Sequence, residues 1–216
     1  MVRRTKEEAQ ATRSLILDTA ELVFEQRGVS GTSLNEIAKT AGLTRGAIYW
    51  HFQNKADLFN AMMERATMPL EQTDVAGFKD PDTTPAQICA GFVDVLRRVV
   101  RDPQLRRVFD IATHKVEYVG EMDAVRLRHL EWRNECIADI ERVLKRAKRG
   151  GTLPASVAPR GAALGLLALF DGLLMSWMLE RGSFDLPRAG AQAFEIYLAG
   201  LFSAKAREAH AAVRAD

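Results

Sequence analysis

Three observations predict an all-α chain of about nine helices, in which a small N-terminal three-helix domain precedes a larger helical one. Apolar residues recur at three- and four-residue spacing through successive stretches, and Gly and Pro stand where those stretches must stop. Residues 33–55, SLNEIAKTAGLTRGAIYWHFQNK, carry the start and stop signals of two short helices joined by a glycine turn, with a third beginning at once. The chain has 216 residues, 47% of them hydrophobic and 27% charged, which is an ordinary soluble globular composition. That length accommodates a domain of about 50 residues and one of about 150. We place the boundary so that residues 1–55 form the first domain and 56–216 the second.

The opening MVRRTKEEAQATR has no apolar core and is not a secretory leader. Arg3, Arg4 and Lys6 form a basic arm with two readings, a phosphate or minor-groove contact and a solvated tail. From about residue 11 to Arg27, the residues Leu15, Ile16, Ala20, Val23 and Phe24 make an apolar stripe that Gly28 ends. Ser33 and Glu36 then form an S-x-x-E capping box, in which each side chain satisfies a backbone N–H at a helix start. Leu34, Ile37, Ala38 and Ala41 share one face, and Gly42 supplies a left-handed turn. Thr44 caps the next helix, whose Ala47, Ile48 and Phe52 face the core while Arg45, Gly46, Tyr49, Trp50 and His51 face outward.

Lys55, beside the Asn54 cap, opens a fourth helix with Leu58, Phe59, Met62 and Met63 on one side, ending near Thr67 before Pro69. Gly77, Pro81 and Pro85 mark a loop. Helices follow from Ala86, where Ile88, Phe92, Val95, Leu96, Val99 and Val100 share a side, and again after Asp102-Pro103. A long helix runs from about Met122 to Lys148, with Val125, Leu130, Cys136, Ile137, Ile140, Val143 and Leu144 inward. Its basic tail suits the helix dipole. Residues 162–179 are the most apolar stretch, yet Asp171 in its middle argues for a buried core helix rather than a membrane span. A last helix from about Arg188 to Lys205 completes the chain, and these two helices are expected to form half of a four-helix dimer interface.

An outward face of Arg, Tyr, Trp and His on a short helix is suited to a major groove, whose phosphates and base edges would cover it. The layout is that of a helix-turn-helix with its second helix laid in the groove. The alternative is a structural three-helix module whose aromatics are core. Residues 1–55 carry eight Lys/Arg against six Asp/Glu, and the remainder 22 against 22, so the whole excess charge lies in this part. Arg45 and Tyr49 are placed for base contact, and Gly46 for close backbone approach. Thr44, Trp50, His51 and Lys55 are placed for phosphates. Thr32 and Ser33 border the same surface, and Thr32 reads equally as a phosphate contact or a plain loop residue.

The wording T-R-G-A-I-Y-W-H-F-x-N-K, preceded by S-L-x-E-I-A and A-G-L, resembles the signature of TetR/AcrR-family repressors. Looser similarities follow in R-R-T-K-E-E-A-Q-x-T-R at the start, H-K-V-E-Y at 114–118, G-T-L-P at 151–154 and F-D-G-L at 170–173, which resemble the AcrR and TtgR branch. The resemblance implies a repressor that binds double-stranded operator DNA and silences a multidrug efflux operon of the tripartite (RND) type until a hydrophobic small-molecule inducer enters the C-terminal domain; a two-fold operator asks for a homodimer, and two cysteines without metal spacing or a leader lead us to expect a reduced, cytoplasmic setting. The resemblance also implies a pocket around Phe92, Val95, Phe109, Thr113, Cys136, Ile140, Leu167, Phe170 and Asp171. Such relatives carry polar residues where this chain has Phe109 and Thr113. Asp171 reads either as a polar anchor for ligand or as a structural pair, since a buried lone carboxylate is costly.

The chain shows no Ser-His-Asp, H-E-x-x-H or phosphate-loop pattern, and its four histidines lack ligand spacing, so no enzyme, metal or cofactor is expected. Cys89 and Cys136 have no metal-type spacing, and Cys136 lacks a resolving partner near it in sequence. Two rivals share the helix-turn-helix: a constitutive architectural DNA binder, and a family member that governs a metabolic operon by sensing a metabolite.

Overall fold

The computed structural model describes residues 6–72, 80 and 82–203. Arg3 and Arg4 of the expected basic arm, Gly77 and Pro81 of the expected loop, and Lys205 at the expected end of the last helix lie outside them. Among the described residues the regular structure is helical throughout: α1 Lys6–Arg27, α2 Leu34–Thr40, α3 Arg45–His51, α4 Lys55–Gln72, α5 Pro85–Arg101, α6 Pro103–His114, α7 Asp123–Arg149, α8 Pro159–Leu179 and α9 Leu186–Phe202, with a short 3₁₀ turn over Gly120–Met122. The all-α architecture expected from the sequence is the one observed.

The described residues pack into two compact units, one from Met1–Pro69 with Asp102–His129 and one from Leu70–Arg101 with Leu130–Asp216. In the first, α1 to α4 enclose a core in which Ile16, Phe24, Ile37, Ile48, Leu58, Phe59 and Met62 are fully buried. Each such side chain contributes roughly 1.5–3 kcal/mol on removal from water. Val108 and Ile111 of α6 and Val125 of α7 join the same cluster, so α6 belongs with this head by packing.

In the second unit α5 and α8 both pack on α9. Phe92 of α5 stacks on Phe170 of α8 with ring centroids 4.9 Å apart and lies 5.7 Å from Phe194 of α9. Close approach is bought with glycine: a Cβ on Gly165 would stand 2.4 Å from the Tyr197 hydroxyl, which donates to the Ala162 carbonyl at 2.8 Å.

Three local expectations need correction. Helix α1 starts at Lys6, so Lys6 is a first-turn residue rather than part of an arm. Helix α4 continues through Pro69, whose missing N–H removes one hydrogen bond, to Gln72. Leu130, expected inward, is 36% exposed at the point where α7 passes from one unit to the other. Helix α8 buries Ala163, Leu166, Leu167, Phe170 and Leu174 and exposes Leu164, Met175 and Leu179. It is long and apolar enough to cross a membrane by composition, yet it packs its buried face on the second unit's core.

Candidate nucleic-acid interface and sensing core

The head is built from caps outward. The Ser33 hydroxyl accepts from the Glu36 N–H at 3.3 Å, and the Glu36 carboxylate accepts the Ser33 N–H at 2.8 Å, completing the reciprocal box at the start of α2. Those hydrogen bonds, the Ser33 N–H first, hold the Glu36 carboxyl below the usual carboxylate range. At the other end Gly42 has φ +68°, its N–H reaches the Lys39 carbonyl and the Leu43 N–H reaches Ala38, which is the paired bonding of a Schellman turn. Thr44 then accepts the Ala47 N–H at 3.2 Å and starts α3. Asn54 accepts the Asp57 N–H at 2.8 Å while Asp57 accepts the Gln53 N–H at 3.0 Å, a second reciprocal cap that starts α4.

These caps present one outer face. Arg45, Gly46, Tyr49 and Trp50 are exposed, Trp50 at 70%. The Arg45 guanidinium stands 5.4 Å from the Tyr49 ring centroid, a cation–π contact that holds the two expected base readers together before any partner arrives. His51 is only half-exposed, and its ring meets Trp50 edge-on at 4.5 Å, so it buttresses the indole. Beneath the helix, Arg13 lies 4.6 Å from the Phe52 centroid.

Two expected phosphate contacts face elsewhere. Thr32 is 3% exposed and its hydroxyl donates to the Gly28 carbonyl at 2.8 Å, which is the loop-residue role of its two readings. The Lys55 side chain is 11% exposed, and its ammonium donates to the Thr32 carbonyl at 3.0 Å and pairs with Glu121 at 3.5 Å. A lysine whose donors are held inside the protein positions the loop before α2 rather than reaching out to a duplex.

Of the nine residues placed around a ligand, seven lie in the second unit and two, Phe109 and Thr113, lie on α6 in the first. Phe92, Cys136, Ile140, Leu167 and Phe170 are buried, and Val95 and Asp171 are half-buried. The Phe92–Phe170 stack brings two of them into direct contact. Thr113 donates its hydroxyl back to the Phe109 carbonyl at 2.7 Å. Asp171 is therefore not a fully buried lone carboxylate; its charge is felt by Cys136, whose thiol is pushed up to about 12 first by burial and then by the acids around it.

Sequence reasoning missed one cluster in the head. Glu21, 2% exposed on α1, is paired with Arg65 of α4 and accepts from Gln104 of α6 at 2.9 Å, with Arg107 of α6 at 3.7 Å. The only signal was a glutamate inside the apolar stripe of α1, since its partners lie far along the chain.

The head, residues 16–62, matches the signature described as bacterial regulatory proteins, tetR family, and residues 86–202 match that of the MAATS-type transcriptional repressor C-terminal region. The chain belongs to the TetR family. The HTH-type transcriptional regulator AcrR of Shigella flexneri is 40% identical over 195 residues, covering 87% of this chain and 88% of its own. The crystal structure of NalD, the secondary repressor of the MexAB-OprM multidrug efflux pump in Pseudomonas aeruginosa, superposes with a TM-score of 0.82 at 31% identity, over 91% of this chain and 98% of its own. A complex of SmeT, the repressor of the Stenotrophomonas maltophilia pump SmeDEF, with triclosan gives a TM-score of 0.77 at 30% identity, over 90% and 93% of the two chains. These TetR-family relatives are transcriptional regulators rather than enzymes, and this chain is a DNA-binding transcriptional repressor of the same kind.

Proposed function

We propose that this TetR-family repressor works in the cytoplasm as a homodimer on a two-fold operator, silences a multidrug efflux operon of the RND type, and leaves DNA when a hydrophobic compound enters its second unit. The observation that carries the DNA reading is the exposed Arg45–Tyr49–Trp50 face on a helix capped at Thr44. Arg45 and Tyr49 read bases, Gly46 lets the backbone approach, and Thr44, Ser33, Trp50 and His51 border the phosphates. Support for the efflux target comes from the roles of NalD and SmeT as repressors of efflux pumps, and for a hydrophobic inducer from the SmeT–triclosan complex. The exposed Leu164, Met175 and Leu179 of α8 and Ile196 of α9 support a dimer, since they offer an apolar surface that a second copy would cover.

The inducer's site in this reading includes Phe92, Val95, Cys136, Ile140, Leu167, Phe170 and Asp171 of the second unit, while Phe109 and Thr113 lie on α6 of the first. A guest that favours one arrangement shifts the two recognition helices off their one-turn spacing of about 34 Å. Typical coupling of about 1–3 kcal/mol changes operator affinity roughly five- to 150-fold.

The test is fluorescence anisotropy on DNA upstream of the protein's own gene, with and without a panel of hydrophobic antibiotics, dyes and plant phenolics. Salt-dependent binding reversed by a subset of compounds is the expected result. Binding that only a metabolite reverses would move the target to a metabolic operon, and binding that nothing reverses would leave an architectural role. In the same assay Arg45→Ala is expected to weaken operator binding by about 1–3 kcal/mol at an unchanged melting temperature. Unchanged affinity would remove Arg45 from the interface.

A further inference from the structure

The second unit has a groove of about 460 Å³ where the end of α5 meets the end of α8 and the turn into α9. Its wall is apolar and partly aromatic: Trp177 at 6% exposure, the half-buried Phe184, the fully buried Leu186, and Val100. Its rim is cationic. Arg97 and Arg101 stand one helical turn apart on α5, so both face the same opening. Arg97 gives one guanidinium nitrogen to Asp94 at 2.5 Å, while no ion pair among the described residues engages Arg101. The one acid in the lining, Asp185, spends an oxygen capping α9 by accepting the Arg188 N–H at 3.1 Å. That carboxylate offsets the positive end of the α9 dipole, so the two arginines supply the positive charge of the groove.

From this arrangement we infer that the groove binds a small aromatic carboxylate, its ring against Trp177 and Phe184 and its carboxylate between Arg97 and Arg101. The volume suits a compound of one or two rings. Planar guanidinium groups suit a carboxylate by paired N–H donation. A last-turn arginine also complements the α5 dipole, but that role asks for no aromatic wall opposite it. The groove lies apart from the Phe92–Phe170 stack of the proposed inducer site. Trp177 is two turns beyond Phe170 on α8, about 11 Å along the helix axis. The inferred acid site is thus distinct in place from the inducer site proposed above. The acid site depends on neither the operator nor the inducer.

Isothermal titration calorimetry on the full chain tests this with 2-naphthoate and its uncharged counterpart 2-naphthamide. The expected result is saturable binding of 2-naphthoate that weakens with added salt, falls about fivefold in Arg101→Gln and about twentyfold in the Arg97→Gln/Arg101→Gln double variant, with 2-naphthamide weak in all three proteins. Both arginines are exposed, so the variants should melt with the parent chain, and Arg101→Glu supplies a second check by charge reversal. No binding heat for 2-naphthoate overturns the inference. So does an affinity that changes less than twofold in the double variant, or that equals the amide's, because either result puts the ring somewhere that the arginines do not reach.

Discussion

Glu21 is a buried acid held by side chains from two other helices. Its carboxylate, almost wholly buried on α1, is shared by Arg65 from α4 and by Gln104 and Arg107 from α6, while Arg65 also reaches Asp18 at 2.8 Å and Arg107 reaches Glu25 at 3.0 Å. Removing one member of a buried ion pair typically costs about 3–5 kcal/mol because the remaining charge is stranded. Here the two arginine side chains are 26% and 29% exposed, and water will screen part of that loss. Glu21→Gln is therefore expected to lower the unfolding free energy by about 2 kcal/mol, read from the urea midpoint at constant slope. A change below about 0.5 kcal/mol would mean that solvent already carries the arginines. At Lys55 the same logic applies on a smaller scale: its ammonium is held by Thr32 and Glu121, so Lys55→Ala should loosen the loop before α2 more than it changes the salt dependence of DNA binding.

Elements are set by their ends and by how closely they can approach. Helix α2 stops because Gly42 adopts φ +68°, and a Cβ there would meet nothing within 4 Å. The penalty of Gly42→Ala is thus backbone strain alone, about 1 kcal/mol, with no clash to relieve. Gly190 in α9 is the opposite case. Its conformation is ordinary, but a Cβ would stand 2.5 Å from a terminal methyl of Leu96, which is fully buried in α5. Alanine would gain roughly 1 kcal/mol of helix propensity and lose about 1–3 kcal/mol in overpacking. We expect Gly190→Ala to be net destabilising by about 1 kcal/mol in chemical denaturation. A stabilised variant would show that Leu96 changes rotamer freely.

Across the molecule, the two cysteines lie in the second unit and are both buried, with their thiols pushed up from 9.0 to about 12. Below pH 9 the native and unfolded chains both keep these protons. Between pH 9 and about 12 the unfolded chain releases protons that the native one retains, so stability falls as pH rises through that window. The urea midpoint should drop between pH 8 and pH 10.5, and a Cys89→Ala/Cys136→Ala variant should show a flatter profile. At pH 8 the native protein should resist iodoacetamide and react at both sites once unfolded. Rapid native labelling would place at least one thiol in solvent and reopen a redox role for Cys136.

The sequence by itself determined the helical class, the caps at Ser33 and Thr44, the glycine turn at Gly42 and the outward Arg45–Tyr49–Trp50 face, because each depends on neighbours within about one helical turn. It reached the family for the same reason, since T-R-G-A-I-Y-W-H-F is a contiguous run. Lys55, close after that run, reads from sequence as a phosphate contact, and Thr32, just before the capping box, reads either as one or as a loop residue; only packing shows that Lys55 bonds to Thr32 and to Glu121. The Glu21 cluster joins α1 to side chains 44 and 83 residues away, and the groove of Arg97, Arg101 and Trp177 joins α5 to α8. Tertiary structure alone decided these features, because burial and charge pairing depend on which surfaces meet, and one-dimensional spacing does not record distances between separate helices.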